Sequence, residues 1–378
     1  MNLTEDHKLI QQTAKEIAED IIAPNAAYYD ANEEFPQKSF EALRDAGFLA
    51  MMVSPDYGGA GLDTISYVLA MIEVSKACAS TGVMMSVNNS LAAYPLETYG
   101  SEYIKDKYLR MIAEGGKLGA FGLSEPDAGS DPAGGRTTAV LDGDEYVLNG
   151  SKMWITNGGV ADVYVVFAKT NPELKHKGMS AFVVEKGTPG FEIGPKEKKL
   201  GIRASPTTPL TFDDCRIPKE NLLGKEGEGF KIAMTTLDGG RIGIAAQALG
   251  IGFAALDAAV SYANTRHAFG RPISKFQGLR WMIADAAMEM EAAKLLTFQA
   301  AQMKDQGKRY TKEAAMAKLY ASEAAVRTAD MSLQIHGGAG YSRDFPVERY
   351  YRDAKITAIY EGTSEIQRVV ISREVIDK

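Results

Sequence analysis

The chain has 378 residues, too many for one ordinary hydrophobic core, so two or three packed units are expected. With 45% hydrophobic and 24% charged residues it reads as a soluble globular protein, and its net charge of -7 disfavours nonspecific nucleic-acid binding while allowing a local basic pocket for an anionic ligand. Two distant cysteines, Cys78 and Cys215, and four scattered histidines argue against a disulfide framework and against metal-ligand spacing.

The opening MNLTEDHKLIQQ is acidic and polar, unlike a signal peptide. From Leu3 to about Lys117 the pattern is helical: Thr4 caps a first turn carrying Glu5 and Asp6, and Ile10, Ala14, Ile17 and Ile21 recur at helical spacing. Pro24 is expected to end this helix. SPDYGGAGLDT, residues 54–64, reads as a Gly-rich loop, and ISYVLAMIEVSKA resumes the helix. Between about 118 and 225 the period changes to that of short strands, with a hairpin signal at Asp142-Gly143. Four helices are predicted over about 230–265, 275–306, 311–335 and 346–376, an antiparallel bundle. The longest apolar run, residues 242–256, contains Gln247 and is too short to span a bilayer. The expected fold class is mainly α with a central β domain, divided as 1–117, 118–228 and 229–378. A cytosolic or matrix-like location without membrane insertion is expected, and Met1 so close to the first helix points to a bacterial cytoplasm.

Several stretches have the residue types for binding or catalysis. AFGLSEPDAGSDPAGG, 120–135, offers backbone N–H groups and the hydroxyls of Ser124 and Ser130, suited to a pyrophosphate or the polar edge of a heterocycle. It lacks the GxGxxG spacing of a Rossmann site and the lysine of a P-loop. In SKMWITNGG, Trp154 and Thr156 flank Ile155 on one side of a strand, an aromatic beside a hydroxyl. Arg266, Phe269 and Gln277 lie at a helix connection. Gln334, Gly337 and Gly338 lie at a helix end, where glycine caps and also admits close backbone approach. Asp238 and Arg241 are spaced for an i,i+3 ion pair. IYEGTSEIQ sets Glu361 between Tyr360 and Gly362.

Taken together, GLSEPDAGSDPAG, MWITNGG, RHAFGRPISKFQ, QIHGGAGYSRDFP and IYEGTSEIQ, in this order along essentially the whole chain, resemble the acyl-CoA dehydrogenase family. KLGIRASPTTPLTFDDCRIPKENLLG and IYEGTSEIQR look most like its short-chain, butyryl-CoA branch. The resemblance implies a middle β-barrel-like domain between an N-terminal helical domain and a C-terminal four-helix bundle, noncovalent FAD, and oxidation of an acyl-CoA to a trans-2-enoyl-CoA. It implies Glu361 as the base taking the α proton, the β hydrogen leaving as hydride to flavin N5, and an oxyanion site formed by the Glu361 N–H and a ribityl hydroxyl. Closure of such a site desolvates the carboxylate and raises its pKa toward roughly 6 to 7. Some branches carry the glutamate just before the arginine matching Arg241; here that residue is Gly240, which leaves Glu361.

By the same resemblance Phe121, Leu123, Ser124, Gly129 and Ser130 line the flavin and its phosphates, Trp154, Ile155 and Thr156 stand beside the ring, and Thr363 and Glu365 complete the set. Arg266, Phe269, Gln277, Gln334, Gly337 and Gly338 are implied to reach the FAD of a neighbouring subunit in a homotetramer, a dimer of dimers. Ser130, Asp238, Arg241, Tyr360 and Gly362 match substrate-contacting positions, with Arg241 alternatively bracing the Glu361 loop. Electron-transferring flavoprotein is the implied acceptor, and short straight acyl chains are preferred over medium or branched ones. An acyl-CoA oxidase is disfavoured because no further C-terminal domain follows. A nucleic-acid-binding flavoprotein is disfavoured because residues 229–378 interleave 20 Lys and Arg with 16 Asp and Glu and form no basic block.

Overall fold

The computed structural model describes residues 3–377, so Met1 lies outside the described residues. Thr4 accepts from the His7 N–H and donates its own N–H to the His7 ring, both at 3.2 Å, a reciprocal cap over α1 (Glu5–Ile17). Contrary to expectation, the helical path does not stop at Pro24. A wide π turn, Ala18–Ile22, leads into α2 (Ala23–Asn32), where Pro24 occupies the first turn and its missing N–H costs no intrahelical bond. Next come α3 (Gln37–Asp45), α4 (Thr64–Ala77), α5 (Ala79–Ser86), α6 (Tyr94–Tyr99), α7 (Glu102–Ile104) and α8 (Arg110–Ala113).

The central part is one eight-stranded sheet. Its strands are β1 (Gly119–Gly122), β2 (Thr138–Asp142), β3 (Glu145–Thr156), β4 (Val163–Lys169), β5 (Met179–Glu185), β6 (Phe191–Ile193), β7 (Thr207–Pro218) and β8 (Leu222–Leu223). The order is β6-β7-β3-β2-β4-β5-β8, with β1 added parallel to β4. Both faces of β4 and β5 are covered, which is why their sequences are continuously apolar. The hairpin pairs Asp142 with Glu145, so its turn is Gly143-Asp144, one residue beyond the expected pair, with Gly143 at φ +65°. The β3–β7 register slips between Leu148 and Gly150 and again between Lys152 and Ile155.

The C-terminal part consists of α9 (Gly229–Thr265), the short ribbon β9 (His267–Ala268) and β10 (Arg271–Pro272), α10 (Gln277–Asp305), α11 (Thr311–His336), α12 (Val347–Thr357) and α13 (Ser364–Ile376). Two expectations change here. The apolar run at 242–256 belongs to a 37-residue helix that is long and apolar enough to cross a membrane, yet 78% of its most apolar stretch is buried, because α4, α10, α11 and α12 pack around α9. The single helix expected over 346–376 is two, α12 and α13. After α12 ends, Glu361 and Gly362 have φ of +52° and +92°, which no right-handed helix can include, and the Thr363 hydroxyl starts α13 by accepting from the Ile366 N–H at 3.3 Å.

Candidate active site

Glu361 lies in the break between α12 and α13, facing α9. A Cβ added at Gly240 would fall inside the contact distance of Glu361 Oε2 and 2.8 Å from Leu91 Cδ2, so the carboxylate occupies the space a side chain at 240 would need. Glu361 as a residue is half-buried, but its Oε2 is buried and has no hydrogen-bond partner among the described residues. Burial pushes the carboxyl up to about 7, against the opposing pull of the Lys318 and Arg241 cations. A carboxylate ionising near neutrality, with a free oxygen aimed into a desolvated space, is suited to take a proton from carbon.

The backbone around it is tethered from two sides. Lys318 Nζ donates to the Gly362 carbonyl at 2.7 Å, and Gln367 Nε2 donates to the carbonyls of Gly362 (2.8 Å) and Glu361 (3.3 Å). No acceptor pairs with the Glu361 N–H among the described residues, leaving a donor for an oxygen ligand. A Cβ at Gly362 would stand 2.6 Å from Gln367 Nε2, and its φ already disfavours a side chain.

On α9, Arg241 pairs with Asp238 at 2.5 Å, and Asp238 also accepts from the Thr311 hydroxyl at 2.6 Å. The expected i,i+3 pair therefore forms, buried, while Arg241 Nε has no partner among the described residues. Gly240, Gly243 and Gln247 follow one another on a single helical face. Along it the Tyr360 hydroxyl donates to Gln247, itself fully buried and donating to the Ala79 carbonyl at 2.8 Å. Gly240→Ala is expected to displace the Glu361 carboxylate and slow turnover about 100-fold, on the scale of a 1 Å misplacement, with the fold retained; steady-state kinetics beside thermal unfolding checks this.

The second group flanks β1 and β3. Phe121, on β1, and Tyr360 pack against one apolar cluster, so this face adjoins the Glu361 loop. Leu123 is buried, and the Ser124 carbonyl accepts from the Met153 N–H at 2.9 Å, which fixes the start of the loop carrying the exposed Gly129 and Ser130 beside the Trp154 strand. At the second register slip Ile155 turns inward, Thr156 is half-buried, and Trp154, at φ +64°, is 57% exposed. A large aromatic held outside the core in a conformation L-residues disfavour marks a contact surface. Thr363 and Glu365 instead line a cavity of about 320 Å³ with Glu323, Arg327, Lys355 and Ile359, a lining that includes no residue of β1 or β3.

The third group lies at the Thr265 end of α9. Arg266, Phe269 and Gln277 are exposed around the β9–β10 turn, where Phe269 is 94% exposed at φ +52°. Gln334, Gly337 and Gly338 are exposed at the end of α11, and a Cβ on either glycine would meet nothing within 4 Å. The two sets are neighbours: His336 stacks on Tyr262 at 4.1 Å, and Ile273 and Ile335 share a core cluster.

Sequence reasoning did not single out Lys318, Gln367, or the buried Glu125–Lys152 pair at 2.6 Å, and it met Gln247 only as a break in an apolar run. Lys318 carried a signal, since it sits among the small residues Ala314, Ala315, Ala321 and Ser322, three and four positions away on its own helical face.

The chain matches the family models of the acyl-CoA dehydrogenase N-terminal domain over residues 4–116, middle domain over 120–215 and C-terminal domain over 227–376. It belongs to the acyl-CoA dehydrogenase family. It is similar to the short-chain specific acyl-CoA dehydrogenase of Clostridium acetobutylicum, 51% identical over 374 residues and 99% of both chains. Among solved structures it resembles butyryl-CoA dehydrogenase from Megasphaera elsdenii (46% identity, TM-score 0.98, 100% and 99% of the two chains). It also resembles a chain from work on the electron transferring flavoprotein of Acidaminococcus fermentans (52%, 0.99, 100% of both). Acyl-CoA dehydrogenases are FAD flavoproteins. The residues here fit such a ring system and its phosphates: Trp154 and Phe269 are exposed aromatics on strained backbone, and Gly129, Gly337 and Gly338 leave open approaches.

Proposed function

We propose that this acyl-CoA dehydrogenase oxidises short-chain acyl-CoA thioesters such as butyryl-CoA to trans-2-enoyl-CoA, with Glu361 as the base and electron-transferring flavoprotein as redox partner. The observation that carries the proposal is the Glu361 carboxylate, unpartnered at Oε2 and pressed against Gly240. FAD, when bound, supplies the hydride acceptor. Glu361 takes the α proton at its free oxygen, and the unpaired Glu361 N–H receives the charge that builds on the thioester oxygen. Gly362 leaves room for the thioester, and Arg241 with Asp238 and Ser130 borders the CoA path. The relative from Clostridium acetobutylicum is short-chain specific, the neighbour from Megasphaera elsdenii is a butyryl-CoA dehydrogenase, and the neighbour from Acidaminococcus fermentans comes from work on an electron transferring flavoprotein; all three support this reading. A short acyl chain is also supported by Gln247: a longer chain running along this face of α9 must displace a buried amide already bonded to Tyr360 and Ala79.

The loop at 121–130, the Trp154 strand, Thr363 and Glu365 hold the flavin side of FAD in this proposal, and the third group serves the FAD of a neighbouring subunit. A homotetramer is supported by Phe269 and by Trp281, Met288 and Leu295, exposed at seven-residue intervals along α10. The division into 1–117, 118–228 and 229–378, a bacterial cytoplasmic or mitochondrial matrix location, and the absence of membrane insertion belong to the same proposal. Anaerobic bleaching of the bound flavin by an acyl-CoA series tests it. Butyryl-CoA is expected to react at least about 10-fold faster than octanoyl-CoA, the discrimination a few methylenes provide. Equal rates would remove the short-chain assignment, and a protein that takes up no FAD would remove the whole reading.

A further inference from the structure

Lys318, in the middle of α11, is fully buried. An ammonium removed from water needs partners, and one of its three N–H bonds goes to the Gly362 carbonyl at 2.7 Å, while no carboxylate pairs with it among the described residues. That carbonyl belongs to the residue after the base, in a turn with two left-handed residues and outside either flanking helix. Among the described residues only Lys318 and Gln367 hold it.

We propose that Lys318 is the positioning residue of the base: by holding the Gly362 carbonyl it fixes the turn that aims the Glu361 carboxylate over Gly240. The inference rests on Glu361 being the base. Other groups face this space: Arg241 and Asp238 from α9, Tyr67 from α4, Tyr310 ahead of α11, Glu323 on α11, Tyr360 on the turn and Glu365 on α13. Arg241 is the only other cation among them that acts on Glu361, and it is already committed to Asp238. Lys318 is therefore the cation left without a carboxylate of its own. Burial draws its ammonium down to about 8, which leaves it protonated where Glu361, at about 7, ionises. Its charge lowers the Glu361 value, so removing it raises that value and moves the onset of activity to higher pH.

The test compares Lys318→Met, Lys318→Gln and Lys318→Arg in the FAD-loaded full chain. Two quantities are read: anaerobic bleaching rates with butyryl-CoA against pH, and hydrogen exchange of residues 358–364 without substrate. Lys318→Met is expected to slow bleaching about 10-fold at neutral pH, to shift the acid limb up by about one pH unit, and to speed exchange in the turn. Lys318→Gln, which keeps a donor without the charge, shifts the limb with a smaller change in exchange; Lys318→Arg keeps the limb. A slower Met variant with an unmoved acid limb would make Lys318 a structural prop and overturn the proposal, as would unchanged rate and exchange in both the Met and Gln variants. If Lys318→Met does not fold, the Gln and Arg variants decide on the same criteria. If wild type itself is not bleached by any acyl-CoA, the proposed function fails, and the exchange data still judge the tether.

Discussion

Glu361→Gln is expected to retain FAD and the fold while losing about 10⁴-fold in the rate of flavin bleaching by butyryl-CoA, the upper end of what one general base contributes. The amide matches the carboxylate in shape, so the packing against Gly240 is kept, but it accepts no proton from carbon. The pH dependence carries the second half of the prediction. Burial raises the carboxyl to about 7, and only the ionised form acts as base, so the wild-type rate should climb as pH rises through about 7 and fall below it. The residual rate of the Gln variant should lack that limb. Equal bleaching of wild type and variant would leave the dehydrogenase standing with the wrong base.

Lys152→Met is expected to cost about 3–5 kcal/mol of stability, because it leaves a buried carboxylate without its counter-charge. Glu125 and Lys152 meet at 2.6 Å with almost no exposed surface, and Glu125 also accepts from the N–H groups of Arg136 (2.5 Å) and Thr137 (3.1 Å). Burial pushes the Glu125 carboxyl up, but the Lys152 charge and these N–H donors outweigh it and hold it below the usual carboxylate range. The same lysine donates to the Leu123 carbonyl at 3.4 Å, so the 123–130 loop loses its anchor along with its charge balance. Thermal unfolding should show a lowered midpoint, and FAD titration a weakened affinity. Adding Glu125→Gln should recover much of the stability, since the stranded charge is gone. A single variant as stable as wild type would show that the pair does not anchor the loop.

Much of the fold was legible because its signals are local. Thr4 with its cap, the hairpin at 142–145 and the order of helical, β and helical parts each follow from residues a few positions apart. The departures come where local signals compete. Pro24 is a helix breaker in isolation, yet a π turn ahead of it lets the chain run on. The apolar period across 346–376 concealed the break at Glu361, although Gly362 and the capping Thr363 stood in the text as its signs.

The residue types of the candidate site were readable in the same way: a carboxylate beside a glycine, an aromatic two residues from a threonine, glycines at a helix end. The groups that surround Glu361 were not, although a carboxyl raised toward roughly 6 to 7 was already implied by the resemblance. Its raised pKa needs burial against Gly240, and the opposing cations come from Arg241 on α9 and Lys318 on α11. The Lys318 contact joins residues 44 apart in sequence. By itself, then, the sequence determined the order of helical and strand parts, which family the chain resembles and which carboxylate is available. Desolvation and Coulomb fields depend on distance in space, so the tertiary structure alone decided what that carboxylate faces, where its free oxygen points and which groups set the pH near which it ionises.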